Sequence, residues 1–64
     1  MSLYDYRAAM KIAQEDDPFY ALSMAAMLKA DTTNIEKLRL LFPETWRELD
    51  ARYHAPGGAL SEDL

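Results

Sequence analysis

Few residues in this 64-residue chain are of a type that performs covalent chemistry. Nucleophilic catalysis needs a serine, threonine or cysteine beside a positioned base. There is no cysteine, and the single histidine, His54, stands immediately before the stop Ala55-Pro56-Gly57-Gly58. Ser23 sits inside an apolar, helix-like segment. His54 is therefore read as a charge or cap at a helix C-terminus, where a cation is favoured. The adjacent acids Asp16 and Asp17 could in principle share acid–base work, but a pair preceding Pro18 is explained by helix capping. No glycine-rich phosphate loop and no helical His-Glu metal motif occurs. The composition thus points to no enzyme, no metal and no cofactor.

Two binding chemistries have more material. The four tyrosines include Tyr4, Tyr6 and Tyr20, and a symmetric oligomer could place them with Arg7 or Lys11 around a nucleotide-like ligand, an alternative that would make the chain an oligomeric sequestering protein. A second alternative is a DNA-binding helix-turn-helix, with Lys37 and Arg39 on the recognition helix. Against it, Asp and Glu outnumber Lys and Arg by 11 to 7, for a net charge of −4. Binding to a phosphate backbone rests on a basic surface, so nucleic acid is not the expected partner.

The elements that must position these residues read as helices. At 100° per residue, Leu3, Tyr6, Ala9, Met10, Ile12 and Ala13 share one arc, predicting an amphipathic helix over residues 3–15. Ser2 with Asp5 three residues on is a cap signal. Pro18 disfavours helical geometry in Asp17 and suits the first position of a second helix, with Asp17 as its cap. The short turn between them predicts helices 1 and 2 side by side. Thr33 and Glu36 have capping-box spacing, predicting a third helix from Asn34 to Phe42. Pro43 predicts a kink or a fresh start, with a fourth helix to about His54. Glycine and proline in Ala55–Gly58 end the helical run. There is no valine and no period-two alternation, so no strand is predicted. Residues 1–58 form one domain in this reading, and residues 59–64 a short acidic flexible tail.

The second helix is unusual because it is apolar on nearly every side. Tyr20, Met24, Met27 and Leu28 take one arc, Phe19, Leu22 and Ala26 another, and only Ser23 and Lys29 are polar in its interior. A helix apolar all round is expected to be buried all round. A chain of this size is marginal alone, and without cysteine it has no disulfide to compensate. The expected fold is therefore all-α, a small bundle of three to four short helices completed by oligomerisation, with a dimer of paired second helices favoured. The candidate interface residues are Tyr20, Met24, Met27 and Leu28, with Trp46 and Tyr53 of the fourth helix as an aromatic ridge. No run of about 18 apolar residues exists, so no membrane span is expected. The N-terminus lacks a signal-peptide core, which predicts a cytoplasmic location.

Two stretches carry a resemblance: DPFYALSMAAMLKADTTNIEKLRLLFPETWRELDARY, residues 17–53, and YHAPGG, residues 53–58. They resemble small accessory proteins encoded by bacteriophages and prophages, which often end in a similar Arg-Tyr-x-Ala-Pro-Gly-Gly run. The resemblance carries no activity and no site residue. It implies a small protein acting in a bacterial cytoplasm by binding a host or phage protein. The expected function is that of a non-catalytic, self-associating interaction module.

Overall fold

The computed structural model describes residues 1–63. Four α-helices make up most of it, and no strand occurs among the described residues: α1 Leu3–Ala13, α2 Phe19–Lys29, α3 Thr32–Leu41 and α4 Pro43–Tyr53. Two short 3₁₀ turns follow, Pro56–Gly58 and Ser61–Asp63. The all-α class is as expected.

Local chemistry sets most of the boundaries. Ser2 is the N-cap of α1, its Oγ accepting a hydrogen bond from the Asp5 amide at 3.2 Å. This satisfies one of the helix's four orphan donors. Pro43 opens α4 at its first position after Phe42 leaves helical geometry at φ −131°, ψ 63°. The chain therefore starts afresh at Pro43. Two expected caps are displaced. Asp17 does not cap α2, whose N-cap is Pro18 with no side-chain bond. The α3 cap is Asp31, whose Oδ1 accepts from the Asn34 amide at 2.8 Å, and the helix begins two residues earlier than the Thr33 signal predicts. Asp31 has the same offset to Asn34 that Thr33 has to Glu36, and the short carboxylate is a strong capping group.

Only α2, α3 and α4 pack together. Two residues, Ala30 and Asp31, join α2 to α3, and Phe42 alone joins α3 to α4. The α4 helix lies against both α2 and α3 and against the first 3₁₀ turn. Phe19 at the start of α2 meets Phe42 at the α3–α4 break edge-on, with centroids 6.3 Å apart. Such pairs add about 0.5–1.5 kcal/mol to their area burial.

The expected side-by-side pairing of helices 1 and 2 does not occur. No Cα of α1 comes within 8 Å of a Cα of another helix or 3₁₀ turn. Pro18 sits in extended geometry, φ −71° and ψ 157°, and restricts Asp17 as well. The five-residue link from Gln14 to Pro18 separates α1 from α2. The Cα radius of gyration is 13.5 Å with extents of 42 × 28 × 17 Å, whereas a compact chain of this length has about 11 Å.

The core is correspondingly thin. Among the described residues Met27 is the one buried residue, at 4% exposure. Leu22, Met24, Ile35, Leu38, Trp46 and Leu49 are half-buried in the same three-helix cluster.

The acidic tail, expected as a flexible appendage, is bonded back to α4. Gly57 and Gly58 have φ of 62° and 72°, the left-handed region that glycine enters without a Cβ penalty. They turn the chain so that Arg52 can grip it. The Arg52 guanidinium donates to the Gly58 carbonyl at 2.9 Å and to both carboxylate oxygens of Asp63 at 2.6 and 2.9 Å. Leu64, the last residue of that tail, lies outside the described residues.

Candidate interaction surface

Two of the residues with catalytic potential, Ser23 and His54, make local helix bonds. Ser23 Oγ donates to the Tyr20 carbonyl at 2.9 Å, an intrahelical bond. His54 is the C-cap of α4, and its Nδ1 donates to the Asp50 carbonyl at 2.8 Å. Asp16 and Asp17 are exposed on the link between α1 and α2. No cluster of three or more potential metal ligands occurs among the described residues. Tyr4, Tyr6, Arg7 and Lys11 lie on α1, apart from Tyr20, so the tyrosines do not converge within one chain. On α3, Arg39 pairs with Glu36 at 3.1 Å and lies over the Trp46 ring, 5.2 Å from its centroid. Arg39 is thereby committed to its own fold.

The strongest electrostatic feature is the Arg52–Asp63 pair. The Arg52 hydrogen bonds, followed by the Leu60 amide bond at 2.8 Å, hold the Asp63 carboxyl well below the usual carboxylate range. The same pair raises the Arg52 guanidinium above its ordinary value. Glu48, one turn earlier on α4, approaches Arg52 at 3.8 Å.

The structure divides the six candidate interface residues into two groups. Met27, Leu28, Trp46 and Tyr53 line one groove of about 410 Å³ where the C-terminal end of α2 and the start of α3 meet α4. Ile35 and Leu49 complete its apolar floor, and Asp31, Asp50 and His54 are polar groups along it. Tyr20 and Met24 lie on a different, smaller depression of about 240 Å³ with Thr45, Glu44 and Glu48. Within the expected arc of α2 the residues separate by exposure. Met27 forms the centre of the core and is not on the surface, Met24 is half-buried, and Tyr20 and Leu28 remain 63% and 60% exposed. The physical reason is that α4 and α3 cover the Met27 side of α2, leaving Leu28, one position and 100° further round, at the rim.

Many large apolar side chains are exposed among the described residues. Leu3, Tyr6, Met10 and Ile12 on α1, Leu40 and Leu41 on α3 and Tyr53 on α4 are all exposed. The total accessible surface is 5652 Å². A folded monomer of 7.3 kDa exposes about 4,200 Å², so roughly 1,500 Å² is in excess. Sequence reasoning located the problem on helix 2. It did not foresee α1 as a major part of it, because the amphipathic pattern of α1 is also what a packed helix shows. No family model, curated protein or solved structure matches this chain.

Proposed function

We propose that this chain is a non-catalytic helical interaction module that self-associates, most simply as a dimer, and presents the assembled surface to a second protein of a phage or its bacterial host. One observation carries the reading: the excess of roughly 1,500 Å² of accessible surface over a folded monomer of the same mass. Contiguous exposed apolar surface marks interaction sites, and obligate homodimers bury about 1,000 Å² or more per chain. A location in the bacterial cytoplasm accompanies this reading. It accords with a chain in which no described helix is long and apolar enough to cross a membrane, and with the resemblance to phage accessory proteins.

Size-exclusion chromatography with light scattering, over a wide range of concentration, tests it. The expected mass is about twice the 7.3 kDa of the chain. A mass of one chain throughout the range overturns the self-association reading.

A further inference from the structure

The self-association reading leaves open which surfaces meet. We infer that α1 is an exchanged arm: the helix of one copy lies in the α2–α3–α4 groove of a second copy, and the second copy's α1 lies in the groove of the first.

Three observations converge on this pairing. The first is that α1 is a formed and capped helix packed on nothing. Isolated helices this short are marginal in water, so most of its stability must come from packing an apolar face. Leu3, Tyr6, Met10 and Ala13 make that face, at the 3-4-3 spacing of a helical stripe.

The second is charge. Residues 1–13 hold Asp5, Arg7 and Lys11, a side-chain charge of +1, while residues 14–64 hold ten acids and five bases, a charge of −5. Arg7 and Lys11 follow one edge of the α1 apolar stripe. The groove has Asp31 and Asp50 along it and no lysine or arginine. Helix-in-groove recognition combines an apolar seam with complementary charge at its edges.

The third is area. The roughly 1,500 Å² of excess surface per chain falls within the range buried per subunit by obligate homodimers, which is about 1,000–2,500 Å². One α1 and one groove per chain, used reciprocally, form a closed two-fold arrangement with no unpaired half. The link from Gln14 to Pro18 leaves α1 free of its own cluster. The groove's floor of Ile35, Trp46 and Leu49 is only half-buried until an arm covers it.

A complementation experiment tests the arrangement. Met10→Asp disables the arm, and Leu28→Asp disables the groove. Both positions are exposed in the single chain, and circular dichroism of each variant checks that its helices persist. Each variant alone is expected to dimerise more than about tenfold more weakly than wild type, the effect of truncating an interface anchor. An equimolar mixture is expected to recover a heterodimer. One intact arm, from the Leu28→Asp chain, then meets one intact groove, from the Met10→Asp chain. Light scattering of a size-tagged partner reads the recovery directly. If Met10→Asp dimerises as tightly as wild type, the arm is overturned while self-association stands, as α2-to-α2 pairing would produce. If both variants fail and the mixture does not recover, arm–groove pairing is overturned. A wild-type monomer overturns the self-association reading itself and the arm exchange that rests on it.

Discussion

Truncation of Met27 to alanine is the most direct measure of how this chain holds together. Met27 is 4% exposed and is the only buried apolar residue among the described residues. Deleting a buried methionine side chain beyond Cβ costs about 2–5 kcal/mol, depending on how far the neighbours can relax into the space. Here the rest of the cluster, Leu22, Met24, Ile35, Leu38, Trp46 and Leu49, is half-buried. Those side chains have room to move, which places the cost of Met27→Ala near the lower end, at about 2–3 kcal/mol. A domain of this length has a total stability of only about 3–10 kcal/mol. In domains this small each kcal/mol moves the midpoint by about 4–8 °C, so the thermal midpoint should fall by about 10–20 °C. The control is Leu40→Ala, which removes a side chain of similar size at 81% exposure and outside the α2–α3–α4 groove. It should change stability by less than about 0.5 kcal/mol. Thermal unfolding followed by circular dichroism, at one fixed protein concentration, reads both. If Leu40→Ala lowered the midpoint as much as Met27→Ala, the burial pattern used here to divide core from interaction surface would be refuted.

Two further outcomes follow from the caps and the tail. Asp31→Ala removes the α3 N-cap bond and should cost about 1 kcal/mol, whereas Asp17→Ala, at a residue that caps nothing, should change stability by less than about 0.5 kcal/mol. Urea unfolding of the two variants separates them, and equal effects would show that the α3 start is misplaced. The Asp63 carboxyl has its folded-state value lowered by Arg52. Its contribution is therefore fully present above the ordinary carboxylate value of about 3.9 and is lost as pH falls below it through the folded value. Asp63→Asn should remove that part of the acid sensitivity. The difference between urea midpoints at neutral and acid pH should be smaller in the variant than in wild type, and an unchanged difference would show that the Arg52 grip does not persist in solution.

The sequence by itself determined the punctuation of this protein. Ser2, Pro18, Pro43 and the Pro56-Gly57-Gly58 run mark where helices start and stop, and each acts within a single turn of chain. Proline lacks an amide hydrogen and has a fixed φ wherever it occurs, so its consequences are legible without knowing what packs nearby. The absence of valine and of alternating apolar residues excluded strands on equally local grounds. The all-round apolarity of residues 19–28 was legible on the same local grounds.

Tertiary structure decided which apolar faces are covered. Met27 and Leu28 are neighbours of similar hydrophobicity, yet one is the core and the other is 60% exposed, because the placement of α3 and α4 against α2 selects a narrow strip of its surface. The separation of α1 is likewise invisible to periodicity, since an amphipathic stripe states that a partner is needed and not which chain supplies it. Arg52 and Asp63 stand 11 residues apart and meet only because two left-handed glycines reverse the chain between them. Capping and proline effects are short-range and belong to the residues themselves. Burial and ion pairing depend on the relative placement of whole helices, which no single segment of the sequence encodes.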